Sequence, residues 1–550
     1  MTRNGEGSNE SQPDAPKRGW FSRFLLVIEW LGNLLPHPVT LFALFAGGVI
    51  LVSGMAGWLG WHALDPRPPG ASGRSPEGVI HAVSLLNADG LRRVVENLVT
   101  NFTGFVPLGT VLVALLGVGV AEKSGLISAA IRGLVLRAAF PGGRRDSEQS
   151  GFLSPRLVVT VAIVFSGVVS NTASEMGYVL LVPLAGVIFL ALDRHPIAGM
   201  AAAFAGVSGG YSANILIGTV DPLLAGITEE AARLIDPEYM VHPAVNWYFM
   251  IVSTFLITIV GTWVTLRIVE PNLGEYDPSQ ATEDLADDRS MDPLTPDEIR
   301  GLKWAGAAVL LMSGLLALSV VPEWGVLRNP ETREVLNSPF LRGMVSLIFV
   351  FFLVPGYVYG RVTGTMRSDR DVIDGMAASM RSLGLYIVLV FFAAQFVAFF
   401  GWSNLGPIVA VKGAEVLLAT GLTGPLVFIG FILLCCFVNL MLGSASAQWA
   451  ITAPIFVPML MLIGYSPEVI QAAYRIGDST TNIITPMMSY FGLILAFANR
   501  YDRDLGIGTI ISIMLPYTLT FLVGWVALFY LWVFGLGMPV GPEAPTYYVP

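Results

Sequence analysis

The stretch Ser170-Asn171-Thr172-Ala173-Ser174 decides how this chain is read, because it places a polar, helix-breaking pentapeptide between two apolar runs, Arg156 to Val169 and Met176 to Leu192. Each run is about 14 to 17 residues, so as a helix it reaches only ~21 to 26 Å, short of a ~30 Å hydrocarbon core. Neither arm comfortably spans a bilayer alone. Two short helices joined by a polar tip suit a re-entrant hairpin over about 154 to 193, since non-helical backbone is tolerated at membrane depth only where it is buried in protein or faces water. The tip is therefore a candidate binding site.

Composition sets the class. The chain is 54 % hydrophobic and 13 % charged, with a mean hydropathy of +0.66, which reads as a polytopic membrane protein whose partner is the lipid bilayer. The formal charge of −9 says little about partners, because many of the acids lie in one segment, Glu275 to Glu298. With no basic stripe, no nucleic-acid partner is expected. Cys435 and Cys436 are adjacent inside an apolar run, which suits packing better than a disulfide or a metal. Residues 1 to 20 read as a disordered cytoplasmic tail with no cleavable signal ahead of the first apolar run, and Phe21 to Leu35 as an interfacial helix.

Outward from the first tip, the chain runs through two parallel series. The first, 21–270, has crossings at Val39 to Leu59 and Val106 to Val120, and a surface arm from Ser124 to Phe140 carrying Arg132 and Arg137. Its hairpin is followed by a crossing from His195 to Ile227, interrupted at Ser208 to Asn214, and by a last crossing from Asn246 to Val269. An acidic cytoplasmic linker, 271–301, and a connecting span, 302–321, lead to the second series, 341–535. There the crossings are Leu341 to Tyr359 and Leu385 to Phe400, with a surface arm from Gly406 to Thr420. A second hairpin over about 424 to 465 turns at Gly443-Ser444-Ala445-Ser446. Pro467 to Ala498 is interrupted at Gly477 to Asn482, and Ile507 to Phe534 spans last, before a tail over 536–550.

The second series repeats residues as well as order. Thr172-Ala173-Ser174 aligns with Ser444-Ala445-Ser446, and Gly209-Gly210-Tyr211-Ser212-Ala213-Asn214 with Gly477-Asp478-Ser479-Thr480-Thr481-Asn482. Gly443 stands where the first tip has Asn171, so two equivalent sodium sites should not be assumed. Corresponding positions are an odd number of crossings apart, which inverts one repeat relative to the other. The expected fold is an all-α polytopic membrane protein with nine transmembrane helices and two re-entrant helical hairpins in inverted repeats. Lys and Arg concentrate in the loops that this topology puts inside, among them Lys123, Arg361, Arg367, Arg370, Arg500 and Arg503. That bias places the N-terminus in the cytoplasm and the C-terminus outside.

Two tips and two broken helices, all polar and all expected near the midplane, define one cavity. Helix ends there offer free N–H groups to a carboxylate, while carbonyls, hydroxyls and Asn amides can hold a cation. Asn171, Thr172, Ser174 and Asn214 thus form a candidate sodium or carboxylate site, set against the alternative that such residues only bind helices to one another. Ionisable groups at membrane depth default to functional candidates. They are Glu175, Asp221, Arg475 and Asp478, with Arg475 and Asp478 spaced to pair on one helix and Asp478 opening the unwound segment. Asp221, ahead of Pro222, could cap or hinge a half-helix. Trp449 could stack on an aromatic substrate or simply pack. Gly206-Val207-Ser208-Gly209-Gly210 matches a serine-hydrolase pattern, but without the strand-to-helix context that makes the pattern meaningful. No Walker A or H-E-x-x-H pattern is present, so an enzyme is not expected.

The runs from Ser170 to Tyr178, Ala203 to Asn214, Gly443 to Ala450 and Arg475 to Ser479 resemble the AbgT family of transporters, over roughly residues 20 to 535. The resemblance implies ion-coupled transport of p-aminobenzoyl-glutamate or export of sulfonamide antimetabolites, by an inner-membrane homodimer using Na+ or H+ and no cofactor. It also implies transport roles for Asp221, Ser446, Trp449, Pro467, Arg475, Asp478 and Pro486, with Asn171 and Thr172 at the first tip. Asn482, which closes the second interruption, is a further candidate site residue. A sodium-coupled dicarboxylate carrier is the alternative within the transporter class, an intramembrane serine hydrolase the alternative outside it, and a passive channel a third.

Overall fold

The computed structural model describes residues 36–139, 154–173, 177–282, 293–335 and 338–549. The N-terminal tail, the interfacial helix read over Phe21 to Leu35, Ser174, Glu175 and the centre of the acidic linker lie outside these described residues. The helices begin where the sequence offers a cap and a proline. Pro38, Pro155, Pro196, Pro296 and Pro467 each open a helix, where a missing N–H costs nothing. Ser154 and Ser466 accept backbone N–H groups at two of these starts, and Thr295 with Glu298 forms a reciprocal capping box at a third.

In the first half, α1 (Pro38–Trp58) leads through a short antiparallel ribbon, β1 (His62–Leu64) with β2 (Val79–His81), to α2 (Ala88–Thr103) and α3 (Val106–Ser124). Then follow α4 (Leu126–Ala139), α5 (Pro155–Ser170), α6 (Val182–Ala191), α7 (Pro196–Phe204), α8 (Val220–Ala232) and α9 (Trp247–Val264). A long α10 (Pro296–Val320) links to the second half. This comprises α11 (Met344–Thr363), α12 (Asp369–Ser382), α13 (Gly384–Trp402), α14 (Leu405–Ala419), α15 (Val427–Leu442), α16 (Ala445–Leu462), α17 (Pro467–Asn482), α18 (Phe491–Ala498) and α19 (Ile507–Phe529).

This is a polytopic, helical membrane fold. Among the described residues, eight helices are long and apolar enough to cross a membrane. Seven of them fall on the stretches read as unbroken crossings. The eighth is α16, whose 18 residues were read as the return arm of the second hairpin. The two broken crossings divide into α7 with α8 and α17 with α18, none of which reaches that length alone.

The halves pack crosswise. The first span of each half, α1 or α11, lies against the second span of the other, α13 or α3, and the last spans α9 and α19 lie against each other. Thr265 Oγ1 and Tyr517 Oη, 2.7 Å apart, and Trp525 Nε1 donating to Ser253 Oγ at 2.7 Å close the α9–α19 seam with polar contacts. Backbones also meet closely where α5 crosses the turn 205–209 that extends α7. A Cβ on Gly167 would lie 2.9 Å from Gly206 Cα, and one on Gly206 only 2.4 Å from the Val164 carbonyl. By contrast α10 shows large apolar residues on its surface, Leu310, Leu311 and Trp304 among them, and buries little of its length. One end of the molecule is covered by the C-terminal segment 540–548. Its backbone bonds to Phe249, Ser466 and Gly464, and Pro542 O receives His242 Nε2.

Candidate functional site

The two breaks are built differently. In the first half, the chain leaves helix at Gly209 and runs without regular structure over 210–219 before α8 starts. In the second, the expected unwinding at Gly477 to Asn482 does not occur: α17 continues to Asn482, and the break falls at 483–490, around Pro486. The hydroxyl run keeps its helix by folding back on it. Thr480 donates to Ile476 O at 2.8 Å and Thr481 to Gly477 O at 3.0 Å, so these side chains consume the polarity that suggested a loop.

Around the first break, Asn171 caps the end of α5 and sends its Nδ2 to Val207 O (2.9 Å) and Gly210 O (3.3 Å). Thr172 Oγ1 donates to Asn214 Oδ1 at 3.0 Å, so Asn171, Thr172 and Asn214 are brought together. Asn171 Oδ1 is buried with no hydrogen bond. The second break has a counterpart the sequence reading missed. Asn439 Nδ2 donates to Asp478 O (2.8 Å), Thr481 Oγ1 (3.0 Å) and Asn482 Oδ1 (2.8 Å), and its Oδ1 is likewise buried and unbonded. Asn171 stands to Gly210 as Asn439 stands to Asp478, each pair 39 residues apart. Asn439, rather than Gly443, is thus the structural equivalent of Asn171. Gly443 has a different task, ending α15 at φ +56°, a conformation cheap only for glycine. A lone Asn in the apolar arm from Gly424 to Leu442 was the available signal.

Between the breaks lies the charged centre. Arg475 pairs with Asp221, not with Asp478, at 2.7 Å, and both side chains are at most 3 % exposed. Asp221 also accepts Gly218 N at 2.7 Å, which fixes the start of α8. Asn246 Oδ1 receives Arg475 Nε (3.1 Å) and Gln471 Nε2 (2.8 Å). Gln471 Oε1 receives Thr228 Oγ1 (2.6 Å), which in turn accepts Trp449 Nε1 (2.9 Å). Trp449 is fully buried, its ring stacked on Tyr474 at 4.2 Å, so in this conformation Tyr474 covers that face. Asp478, also fully buried, has no well-formed hydrogen bond at either oxygen, with Asn482 as its weak contact one turn on.

The remaining candidates frame this centre. Ser446 is half-buried, 3.4 Å from Ser444 Oγ, the N-cap of α16. Pro467 is buried at the first position of α17, and Pro486 is half-buried in the second break. Ser212 N donates to Ser479 Oγ at 3.1 Å, joining the first break to α17 directly. Ser208 Oγ has Met488 Sδ at 3.4 Å as its neighbour rather than an imidazole. Cys435 and Cys436 are buried and free. Among the described residues no three His, Cys, Asp or Glu side chains gather as a metal site.

A charged, hydrogen-bonded centre set between two broken helices in an apolar bundle defines a secondary transporter. The chain belongs to the AbgT transporter family, whose model matches residues 23–548. It is 38 % identical over 516 residues to the p-aminobenzoyl-glutamate transport protein of Escherichia coli K12, covering 94 % of this chain and 95 % of that protein. Its structure is similar to Neisseria gonorrhoeae MtrF, of a class of antimetabolite efflux pumps, with 58 % identity and a TM-score of 0.87, over 95 % of this chain and all of that one. It is also similar to the Alcanivorax borkumensis YdaH transporter, with 45 % identity and a TM-score of 0.81, over 92 % of this chain and all of that one.

Proposed function

We propose that this transporter moves p-aminobenzoyl-glutamate-like folate catabolites, sulfonamide antimetabolites, or both, coupled to a Na+ or H+ gradient. The observation that carries the reading is the buried Arg475–Asp221 pair, which joins α17 of one half to α8 of the other beside Trp449. A buried pair is a weak source of stability, because desolvation offsets its attraction, so function is the stronger reason for keeping it. Arg475 offers a substrate carboxylate its partner, and Trp449 a ring to stack on once Tyr474 moves. Asp221 and Asp478, with Glu175 beyond the first tip, are the coupling acids. A Na+ site at Asn171, Thr172 and Asn214, with Ser174 next in sequence, fits the unbonded Asn171 Oδ1, and the same argument extends to Asn439 Oδ1 and Asp478.

The architecture we assign has nine crossings and two re-entrant hairpins, α5 with α6 and α15 with α16, in inverted repeats over 21–270 and 341–535. The crosswise packing of the halves supports the repeat. The protein would sit in a bacterial inner membrane as a homodimer, N-terminus inside and C-terminus outside, exposing the hairpin tips alternately. Flux of labelled p-aminobenzoyl-glutamate and of a sulfonamide into proteoliposomes, under separate Na+ and pH gradients, tests it. Accumulation that follows one gradient and fails in Asp478→Ala is the expected result, whereas movement indifferent to both gradients would contradict the coupling.

A further inference from the structure

Glu468 is a buried acid that the transport reading leaves unused. It sits in the first turn of α17, 2 % exposed, under the end of the molecule covered by the C-terminal segment. Tyr239 Oη lies 3.0 Å from both of its carboxylate oxygens, and Ser466, the cap of α17, is also within reach. A phenol has one proton to give. Beyond its own backbone N–H, and with the Ser466 hydroxyl given to Pro545 O, an ionised Glu468 must therefore share that one proton between its two oxygens in a buried site.

The cations on the adjoining segments have partners of their own, with Arg342 lying toward Glu543. Arg233 pairs with Glu229 and donates to Tyr239 O at 3.2 Å, and Arg67 pairs with Asp65 at 2.7 Å. His242 donates from Nε2 to Pro542 O and accepts Ala244 N at Nδ1, which fixes the neutral tautomer, and burial lowers its pKa to about 4. Glu543, 3.8 Å from that ring, and Asp236, near Tyr239, add negative charge, not positive. Arg475 is held by Asp221 and Asn246. A buried carboxylate with no cation is costly, while its place at a helix N-terminus favours the anion, so both protonation states are reachable.

We propose that Glu468 is a proton-binding site of this carrier, exchanging its proton with solvent past the half-buried Tyr239. Asn246 ties the site to the charged centre, since its Nδ2 donates to Glu468 O at 2.8 Å while its Oδ1 holds Arg475. The inference rests on the transport reading with H+ as a coupling ion.

Two measurements test it. In sodium-free proteoliposomes, Glu468→Gln is expected to keep gradient-free exchange of labelled p-aminobenzoyl-glutamate within about twofold of wild type and to lose pH-driven accumulation at least tenfold. Glu468→Asp should restore part of it. Full pH-driven accumulation by Glu468→Gln, or wild-type exchange with no response to a pH gradient, overturns the proposal and leaves the transport reading standing. Infrared difference spectra of the purified protein need no flux. Wild type should show a carboxylic-acid C=O band that titrates away with alkali and is missing from Glu468→Gln. A wild type without that band overturns the proposal even if no compound moves, and absent flux alone tells against the transport reading.

Discussion

Arg475 and Asp221 meet at 2.7 Å across the two halves of the chain, each anchored a second time, Arg475 on Asn246 and Asp221 on Gly218 N. Neither charge has solvent to fall back on. Removing one partner from such a pair costs about 3–5 kcal/mol, because the other is left buried and uncompensated. Asp221→Asn is therefore expected to lower the thermal unfolding midpoint sharply, and Asp221→Asn with Arg475→Gln to regain much of that loss while transport stays abolished. A double variant no more stable than the single one would show that the pair is not the unit.

The two asparagines that bridge to the broken helices should differ in weight. Asn439 shares its two amide protons among three acceptors and Asn171 gives its two to two, across the same kind of gap. Each buried partner left unpaired costs about 1–3 kcal/mol. Thermal unfolding should accordingly rank Asn439→Ala as the more damaging substitution; the reverse order would contradict the account of the second break.

Gly206→Ala is expected to destabilise by about 1–3 kcal/mol, since its new methyl would press on the Val164 carbonyl. Gly306→Ala is the control: on α10, a Cβ there meets nothing within 4 Å. Yield of monodisperse protein should fall for the first and hold for the second. Equal behaviour would mean that the α5 crossing is looser than its geometry.

Asp65 gives a pH prediction outside the membrane. Burial works against its charged form, but hydrogen bonds from Arg67 and from the Ser75 and Arg67 N–H groups outweigh it and hold the carboxyl below its ordinary value of 3.8. A depressed folded pKa means stability that is present above the ordinary value and lost as pH falls through the folded one. The clamp over 65–75 should thus persist at the ordinary carboxyl pKa of 3.8 and open only as the pH falls below it, read by hydrogen exchange of the Ser75 amide. Asp65→Asn should abolish that dependence.

Much of the fold was legible in the sequence, because hydrophobic length is a strong signal and prolines mark helix starts. Seven of the helices long enough to cross a membrane could be read from runs such as Val39 to Leu59, and the hydroxyl-rich stretches stood out against them. The second break misled because a hydroxyl run reads as loop, whereas Thr480 and Thr481 satisfy themselves within the helix. Arg475 was matched to Asp478 because sequence spacing reveals neighbours on one helix; Asp221 is 254 residues away and was reachable only through the fold. Asn439, Asn246 and Gln471 were overlooked because a single amide in an apolar run looks like helix glue until its partners are known.

The C-terminal segment over 540–548 draws its hydrogen bonds from α9, from the turn between α16 and α17 and from the loop holding His242. Stretches distant in sequence are thereby knitted into one continuous face that exists only in the folded molecule. An antibody fragment selected against that face would recognise a shape rather than a peptide, and its binding would report the native state of a protein whose remaining surface is largely hidden by lipid.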